Sequence, residues 1–415
     1  MQTIETDILI IGGGSAGVAA AVASASQGHK VYLVERLDYL GGKATAAEVG
    51  TICGLYKYQK TETSEYIVKG FAKDFADQLA SVSSTSALHN IFGLHYLPYN
   101  VEAYKTLCMQ LMQQHNINVL LHSEVTAVEA QNNHINAVTV KTNNETILIH
   151  CKSIIDCSGN SCISQLAQLP LIKNDTYQAA AQVFTVKGIG ETIESNLNLV
   201  VLKELKKAIL NQQLDESFKN ISIVQGSYHH PTANFKLGIP LAVTNTSDNL
   251  EQLRQKAIDM IHQFMSHFTQ HVELFKQASI EHLAAEVGVR VGVRPVGKYI
   301  LKEEDVLSCK KFDSAIANGS WPIEEWKEDK GAVIRYFNVD DYYQIPADCL
   351  ISSHLSNLFF AGRNISASDE AIASARVIGI CLQTGYAAGM LASDLIKDTP
   401  QLNTIQAIQA KQIFV

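Results

Sequence analysis

Short apolar segments separated by a glycine turn begin the chain. Residues 8–11 (ILII) are apolar throughout, which predicts a strand buried on both faces of a parallel sheet. Residues 16–26 are rich in alanine and predict a helix, with Gly28 where a helix C-terminal glycine belongs. Residues 31–34 predict a second apolar strand that ends at Glu35. Together these segments predict one βαβ unit.

The rest of the chain alternates between helix-like and strand-like patterns. Helices are predicted at 66–80, 101–115, 248–277 and 373–396. Strands are predicted at 119–128, 134–140, 146–150, 153–156, 286–294 and 358–361. Residues 401–415 are polar with scattered isoleucine, which predicts a surface helix or tail.

Composition narrows the class of protein. A chain of 415 residues exceeds what one hydrophobic core usually supports, so two or three domains are expected. A net charge of −8 without any basic run argues against a nucleic-acid partner. The eight scattered cysteines predict reduced thiols rather than a disulfide scaffold. The absence of a signal-peptide pattern or a long apolar run predicts a cytoplasmic protein with no membrane span.

A glycine turn follows the first strand, where Gly12, Gly14 and Gly17 fit the pattern G-x-G-x-x-G. In this strand–turn–helix context, Gly12 permits the tight turn, Gly14 admits a pyrophosphate and Gly17 allows close helix packing. The amides of the turn, including those of Ser15 and Ala16, point a positive helix end at the phosphates. Glu35, at the end of the next strand, can accept both ribose hydroxyls. The sequence therefore predicts a dinucleotide site.

The same turn has a competing interpretation. Residues 13–17 also fit G-x-S-x-G, the nucleophile elbow of hydrolases, which is likewise a strand–turn–helix feature. An elbow normally lies after several strands with its oxyanion loop upstream, whereas only eleven residues precede Gly12. The elbow also leaves Glu35 unexplained, so we favour the dinucleotide site.

A second glycine pair distinguishes FAD from NAD. Gly41 and Gly42 follow the acid within seven residues and let the chain run against a bulky, flat cofactor, which an NAD site does not need. Here the chain resembles the FAD-dependent oxidoreductases of the glutathione-reductase and fumarate-reductase structural class. It resembles more narrowly a bacterial family of mostly unassigned substrate with G-G-x-A-T at this point. The resemblance implies that this segment contacts FAD through Arg36, Gly41, Gly42, Lys43, Ala44 and Thr45, and that Lys43 and Tyr56 approach the flavin ring or substrate.

The resemblance extends along the chain in motif order. Residues 154–160 (IIDCSGN) stand where such flavoproteins have an apolar strand ending in A-T-G, and residues 357–363 (NLFFAGR) resemble the family's A-G-R segment. The helix that follows would point its N-terminus at the flavin pyrimidine ring and stabilise the reduced anion. The additional FAD contacts that this implies are Val125, Ser158, Gly159, Gly362, Arg363, Ser374 and Ile378.

Residues 286–294 (EVGVRVGVR) alternate between valine and open positions. The predicted strand places Arg290 and Arg294 on one face, about 13 Å apart, too far to hold a single carboxylate. The family has G-V-R-E-S-R-R here, so both arginines match, although the residues between them depart. One arginine is a candidate to hold FAD or an acid and the other a substrate anion, with structural ion pairs as the alternative.

Several other residues have competing interpretations. Cys157 and Cys162 have the spacing of a flavin disulfide reductase but lie far from the Gly41 segment. His229 and His230 are expected in a polar loop. Asp369 and the glutamate after it are more simply helix-start residues than active-site acids. No metal-binding motif occurs, so no metal is expected. No histidine in the glycine-pair segment is placed for covalent attachment, so FAD is expected to bind non-covalently.

These observations predict an α/β protein with a Rossmann-like FAD-binding domain and an inserted α+β substrate domain. The FAD domain would comprise 1–50, 101–165 and 340–395, the substrate domain 51–100 and 166–339, and the tail 396–415. The resemblance implies a dehydrogenase or oxidase that passes a hydride from a small organic substrate to flavin N5. The electron acceptor stays open between oxygen, a quinone and a carrier protein, and a homo-oligomer stays open. The alternatives are a reductase or monooxygenase fed by an external reductant, and a non-redox FAD-binding protein.

Overall fold

The computed structural model describes residues 2–328 and 330–413. Within these ranges the strands are β1 (Gln2–Ile11), β2 (Val31–Val34), β3 (Thr51–Cys53), β4 (Leu88–His89), β5 (His95–Pro98), β6 (Asn118–Leu120), β7 (Glu124–Gln131), β8 (His134–Lys141), β9 (Thr146–Asp156), β10 (Leu171–Ile172), β11 (Ala181–Lys187), β12 (Ile221–Ile223), β13 (Ala233–Gly238), β14 (Ser279–Leu283), β15 (Arg294–Pro295), β16 (Ala315–Gly319), β17 (Ile323–Lys327), β18 (Gly331–Arg335), β19 (Tyr343–Pro346) and β20 (Leu358–Phe360). The α-helices are α1 (Ser15–Ser26), α2 (Lys43–Ala46), α3 (Phe71–Ser83), α4 (Val101–Gln114), α5 (Cys162–Leu166), α6 (Glu194–Leu210), α7 (Ser247–His271), α8 (Glu303–Leu307), α9 (Asp369–Ala375), α10 (Ile378–Ile396) and α11 (Gln401–Gln412).

The main sheet has the order β6-β2-β1-β9-β8-β7, and β20 pairs with the end of β9. β6, β2, β1, β9 and β20 run parallel to one another, while β7 and β8 form an antiparallel hairpin and β8 also runs antiparallel to β9. β9 is one strand of eleven residues rather than the two expected. Its first half pairs with β8 and its last three residues pair with β20. The parallel layer confirms the expected α/β class.

α1 lies buried between this sheet and α10. Its residues from Ser15 to Ser24 are all buried, which explains why the alanine-rich helix has no polar face. A Cβ added at Gly385 of α10 would lie 2.1 Å from the carbonyl oxygen of Ala16. The two helices therefore meet at backbone contact, which only small residues permit.

An antiparallel sheet of order β12-β13-β11-β14, called here the cap sheet, forms a second layer. Phe235 of β13 and Phe184 of β11 pack against Phe264 of α7 on one face of this sheet. Alternate residues of β13, including Lys236, are partly exposed on the opposite face. The strand period therefore separates an apolar face of the cap sheet from a polar one.

The limits of the FAD-binding and substrate domains given from the sequence remain a proposal.

The structure corrects the predicted strand at 286–294. Val287, Val289 and Val291 are buried as the alternation requires, but among the described residues the backbone before Arg294 forms a single bridge, between Gly288 and Ala181. Gly292 is buried as well, so the alternation changes phase there and Arg294 enters the interior. The segment is therefore an irregular connection that ends in β15, and the two arginines do not share a face.

Helix boundaries differ from prediction at several places. The helix expected at 373–396 is two helices, α9 and α10, separated by Arg376 and Val377. The helix expected at 66–80 begins at Phe71, after Gly70, and α7 ends at His271 rather than at 277. The strand expected at 119–128 is interrupted around His122, which has a positive φ of 49°. The polar C-terminal segment forms α11, part of which is buried against α10. Within the described ranges, no helix has the length and apolarity that a membrane crossing requires.

Candidate functional site

The glycine turn between β1 and α1 is packed at backbone contact. A Cβ at Gly12 (φ +96°) would lie 2.7 Å from the carbonyl oxygen of Cys157, and one at Gly17 would lie 1.9 Å from the oxygen of Gly12. A Cβ at Gly14 would meet nothing closer than the Cα of Gly42 at 3.7 Å. Two glycines are therefore needed for packing, whereas the third leaves open space beside the helix start.

Two amides in the first turn of α1 are without an acceptor in the part of the chain that the structure describes. These are the backbone N–H groups of Ala16 and Gly17, and no side chain caps the helix. The hydroxyl of Ser15 is instead paired with that of Tyr104 at 2.7 Å. Unsatisfied amides at a helix N-terminus, beside the space left by Gly14, fit an anionic group.

Glu35 is buried at the end of β2, with 6% of its surface exposed. Its Oε2 accepts the Gly13 N–H at 2.7 Å and its Oε1 accepts the Leu37 N–H at 3.0 Å. These bonds hold the carboxylate beside the glycine turn. Ser123, two residues before Val125, donates its amide to the Glu35 backbone oxygen at 2.9 Å. The structure thus brings the 123–125 segment next to Glu35, as an adenosine site requires.

The glycine pair of residues 41 and 42 lies directly against the first turn. Gly41 and Gly42 both have positive φ angles, of 112° and 56°, and a Cβ at Gly42 would lie 2.8 Å from the Cα of Gly14. Ala44 and Thr45 are buried in the short helix that follows. The two glycine segments therefore lie in backbone contact with each other, as the resemblance to FAD-binding proteins implies.

Lys43 and Arg36 converge on Glu286. Lys43 Nζ donates to Glu286 Oε2 at 2.7 Å and to the Val287 carbonyl oxygen at 2.9 Å, and Arg36 pairs with Glu286 Oε1. Burial lowers the pKa of Lys43 to about 8, against the opposing effect of Glu286. Burial would raise the pKa of Glu286, but Lys43 and Arg36 hold it below its ordinary value. The sequence analysis did not assign Glu286 to the site. The feature that could have indicated it is its position at the start of the valine alternation.

A polar network closes the end of β9. Asp156 is fully buried, and its Oδ1 accepts both the amide (3.0 Å) and the hydroxyl (2.7 Å) of Ser158. Burial raises the pKa of Asp156. Gly159 donates its amide to Asn364 Oδ1 at 3.1 Å, and Asn364 Nδ2 donates to the Asp156 backbone oxygen at 3.1 Å. Asn364 therefore joins the segment at the end of β9 to the A-G-R segment. The sequence analysis missed it because it lies one residue beyond the A-G-R pattern.

Arg363 lies against this network. A Cβ at Gly159 (φ +77°) would lie 2.5 Å from Arg363 Nη2, and Arg363 Nη1 donates to the Val289 carbonyl oxygen at 2.8 Å. No ion pair links Arg363 to a carboxylate among the described residues. Gly362 approaches the start of α1, where its Cβ would lie 2.9 Å from that of Ala16. The A-G-R segment therefore reaches the glycine turn, as the resemblance implied.

The start of α10 combines a buried hydroxyl with free amides. Ser374 is fully buried, and its hydroxyl donates to the Trp321 carbonyl oxygen at 2.5 Å and pairs with the Tyr343 hydroxyl at 2.7 Å. This geometry assigns its side chain to packing rather than to a ligand. The amides of Ile378 and Gly379 have no acceptor among the described residues. The helix end expected to face a flavin is thus unsatisfied within this part of the protein.

Tyr56 lies in a buried pair of tyrosines. It is 5% exposed, its hydroxyl donates to Tyr66 at 3.4 Å, and Tyr66 donates to Asp77 at 2.7 Å. Burial raises the pKa of Tyr56. No described contact links it to Lys43, so its catalytic role stays a prediction without geometric support.

Arg294 is placed differently from the expectation for a catalytic arginine. It is fully buried, and its nitrogens donate to the carbonyl oxygens of Ala367 at 2.9 Å and Gly292 at 2.8 Å and to the carboxylate of Asp369. An interior guanidinium with a bond at every nitrogen presents no exposed surface to a substrate. This geometry favours the structural ion pair, and a catalytic role for Arg294 stays a prediction without geometric support.

Arg290 instead lies over Trp326 beside the cap sheet. The guanidinium carbon of Arg290 is 4.2 Å from the Trp326 ring centroid, and Lys236 Nζ is 4.8 Å from the same centroid. Arg290 also donates to the carbonyl oxygen of Ala179. Burial and, to a smaller extent, the nearby Arg376 lower the pKa of Arg290 to about 9, against the opposing effect of Glu324. Sequence reasoning missed Lys236 because it stands alone in an alternating strand.

Glu324 and Arg376 complete this group of charges. The carboxylate of Glu324 accepts the indole N–H groups of Trp321 at 2.8 Å and Trp326 at 2.7 Å. Arg376 Nη2 donates to the backbone oxygen of Glu324 at 3.2 Å and to Gln178 Oε1 at 3.3 Å. Arg376 ends α9 directly before the start of α10. We call Lys236, Arg290, Glu324 and Arg376 with Trp326 the cationic cluster.

The remaining candidates from the sequence are two cysteines and two histidines, which among the described residues have no comparable group of charged side chains around them. All eight cysteines, including Cys157 and Cys162, are free thiols in the structure. Burial holds the pKa of Cys157 well above its ordinary value, which opposes thiolate chemistry. His229 and His230 are exposed in a loop, as expected.

Comparison with known proteins identifies the family. A family model described as FAD dependent oxidoreductase matches residues 7–413. The chain belongs to this family. Its cofactor is FAD and it is an oxidoreductase, which confirms those two expectations and leaves the reaction open.

Curated relatives match only in a short segment. 4-Oxocyclohex-2-ene-1-carboxylate 5-dehydrogenase of Sinomonas cyclohexanicum is 47% identical over 49 residues, which is 12% of this chain and 8% of that protein. An iron-sulfur component of the CoB–CoM heterodisulfide reductase of Methanopyrus kandleri is 56% identical over 39 residues, 9% of this chain and 6% of that protein. The matched stretches span less than a tenth of either relative.

Solved structures match over nearly the whole chain. The anhydrotetracycline hydroxylase of Streptomyces rimosus superposes with a TM-score of 0.50 at 10% identity, covering 97% of this chain and 65% of that one. A geranylgeranyl bacteriochlorophyll reductase-like protein of Thermoplasma acidophilum gives a TM-score of 0.49 at 12% identity, covering 98% and 83%. At 10% identity, the similarity to the anhydrotetracycline hydroxylase shows a shared fold and does not show a shared reaction.

The residues present fit FAD. Amides at the starts of α1 and α10, the carboxylate of Glu35 and the guanidinium of Arg363 provide donors and acceptors that the described part of the chain does not fully use. They lie along segments joined by backbone contacts of glycines 12, 14 and 42 and by the contact of Gly159 with the Arg363 side chain. The site residues assigned from the sequence remain proposals at the level of individual contacts.

Proposed function

We propose that this oxidoreductase is a dehydrogenase or oxidase that removes a hydride from a small organic substrate bound between the start of α10 and the cap sheet. The carrying observation is the cationic cluster, whose charged side chains are partly exposed and whose Arg376 directly precedes α10. A polar surface at this point is suited to holding a reacting molecule against a flat cofactor. The Sinomonas relative is named a dehydrogenase, which supports oxidation of the substrate as the proposed reaction.

FAD supplies the two-electron acceptor chemistry when bound. The chain's own residues bind and orient: α1 and Glu35 hold the dinucleotide, and the free amides of α10 face the reacting region with a partial positive charge. Lys43 is the candidate proton acceptor, because a pKa of about 8 gives an appreciable neutral fraction near neutral pH. Its bonds to Glu286 and Val287 fix the position of the amine.

A second candidate function is a monooxygenase fed by an external reductant. The observation in its favour is the fold shared with the anhydrotetracycline hydroxylase over 97% of this chain. The sequence has no second G-x-G-x-x-G turn, so a nicotinamide reductant would bind transiently or act through a partner protein. We further propose the division into FAD and substrate domains given above, with oxygen, a quinone or a carrier protein as the electron acceptor.

Visible spectroscopy under anaerobic conditions separates these functions. We expect the purified protein to be yellow and to release FAD on denaturation. Bleaching by an organic substrate in the absence of NADH and NADPH supports the dehydrogenase or oxidase. Bleaching only by NADH or NADPH supports the monooxygenase, and reoxidation with oxygen or a quinone then identifies the acceptor. A colourless protein that takes up no added FAD would contradict both.

A further inference from the structure

Three cations of the cationic cluster have no carboxylate partner in the part of the chain that the structure describes. Among the described residues, no aspartate or glutamate oxygen lies within 4.0 Å of a side-chain nitrogen of Lys236, Arg290 or Arg376. Each of these side chains is only partly exposed. Unpaired surface lysines are common, but partly buried unpaired cations are not, because burial of charge without a partner is costly.

The donors of these cations are only partly used within the protein. Arg290 contacts one carbonyl oxygen and the face of Trp326, and Lys236 contacts the same ring. Arg376 uses one nitrogen for the Glu324 backbone oxygen and Gln178, and its Nε is buried without a hydrogen-bond partner among the described residues. Several charged N–H groups can thus bind something outside the protein.

Glu324 does not neutralise the cluster. Both of its carboxylate oxygens are occupied by indole N–H groups, so it contributes one negative charge but no direct ion pair. Three cations against one carboxylate leave a positive excess in a partly dehydrated space. Arg294 shows the contrast within the same chain, since it is buried with Asp369 as its partner. The cationic cluster is therefore suited to bind a carboxylate, which is the partner that Arg294 has in Asp369.

We propose that Lys236, Arg290 and Arg376 bind a carboxylate group of the substrate, so that the substrate is a small organic acid. This inference rests on the proposed function. The planar guanidinium groups of two arginines match the geometry of a carboxylate, and the lysine adds a third charge. The cofactor phosphates have their own donors at α1, on different elements of the fold. The position of Arg376 at the start of α10 places the acid next to the expected flavin face.

Titration of the FAD-loaded enzyme with benzoate, benzamide, acetate and inorganic phosphate tests this assignment. Binding is followed by the flavin difference spectrum and by calorimetry. We expect benzoate to bind at least about tenfold more tightly than benzamide, its neutral counterpart, because a charged hydrogen bond contributes roughly that factor or more. Lys236→Met and Arg290→Met should each weaken benzoate binding by about 10- to 100-fold, with FAD content unchanged. Arg290→Lys should restore part of the loss.

Lys187→Met is the matched control, because Lys187 lies at the exposed end of β11 in the same sheet. It should bind benzoate as the unchanged enzyme does. Equal binding of benzoate and benzamide, no binding of either benzoate or acetate, or unchanged binding in both cluster variants would overturn the proposal. Tighter binding of phosphate than of benzoate would overturn the carboxylate class. Loss of FAD from folded variants would assign these cations to the cofactor instead.

The two proposals can fail separately. Charge-dependent benzoate binding without flavin reduction by any organic acid would support the anion site and contradict the proposed oxidation. Flavin reduction by neutral alcohols or amines, in an enzyme that binds neither acid, would support the oxidation and contradict the anion site.

Discussion

The glycine turn before α1 and the cationic cluster beside the cap sheet both offer positive charge, but they do so with different parts of the chain. The turn uses backbone amides, whose directions follow from the conformation of six consecutive residues. The cluster uses side chains of β13, β17 and the segments at 290 and 376. A backbone site is therefore fixed by local sequence, whereas a side-chain site exists only after distant segments pack together.

This difference also predicts how each region tolerates substitution. At the turn, space matters most, because a single methyl group competes with backbone atoms or with the cofactor. At the cluster, charge matters most, because its side chains are partly exposed and have room to change size. The Lys236 and Arg290 variants described above test the cluster, and the following substitutions test the turn and the charged pairs of Asp369 and Lys43.

Gly17→Ala should have the largest effect. Its Cβ would lie 1.9 Å from the Gly12 oxygen, so α1 would have to move away from β1. We expect a loss of roughly 4 kcal/mol or more in the free energy of unfolding, together with loss of FAD, measured by urea denaturation and flavin absorbance.

Gly14→Ala is the matched variant, because its Cβ meets only Gly42 at 3.7 Å. It should fold normally yet bind FAD at least about tenfold more weakly. Normal FAD affinity in Gly14→Ala would show that the phosphates lie elsewhere.

Asp369→Asn should destabilise the fold without removing the flavin. The substitution leaves the fully buried Arg294 without its carboxylate, and we expect a loss of about 2–4 kcal/mol in unfolding free energy. FAD bound per folded molecule should stay constant. Glu370→Gln, at the next position, should change the unfolding free energy by less than about 0.5 kcal/mol. A flavin-binding or kinetic defect at unchanged stability would instead restore a catalytic role for Arg294.

Glu35→Gln should weaken FAD binding at the turn. The amide group can accept only one of the N–H groups of Gly13 and Leu37, and it carries no charge for the ribose hydroxyls. We expect FAD affinity to fall by about 10- to 100-fold, measured by equilibrium titration of the apoprotein. Glu129→Gln, on the exposed side of β7, serves as the control. Equal FAD affinity in both variants would remove Glu35 from the site.

The smallest effect concerns the pH dependence that Lys43 contributes. In the folded protein its pKa is lowered from 10.5 to about 8, so between these values the unfolded chain holds a proton that the folded chain has released. Stability therefore rises with pH in this window, and the cost of burying the charge is fully present below pH 8. Relative to Lys43→Met, the unfolding free energy should increase by on the order of 2 kcal/mol from pH 8 to 10.5. Parallel pH profiles for the two proteins would contradict the lowered pKa.

Much of the fold followed from local patterns. The strand, turn, helix and second strand at the start of the chain are confirmed, because apolar runs and glycines act through near neighbours. The alternation at 286–294 failed because its pairing partner is limited to one glycine bridge, and periodicity alone does not supply a neighbouring strand. The break between α9 and α10 was missed because the segment is apolar and alanine-rich on both sides of Arg376.

The sequence by itself determined the family, the cofactor and the positions of the glycines that we propose approach it, since backbone geometry there depends on residues adjacent in the chain. Only the tertiary structure decided that Arg294 is interior and Arg290 partly exposed, that Glu286 joins Lys43 to Arg36, and that Lys236 lies on Trp326 beside Arg290. Burial and charge pairing are properties of segments distant in sequence. They arise only when those segments pack, and for that reason two arginines four residues apart have different burial and different partners.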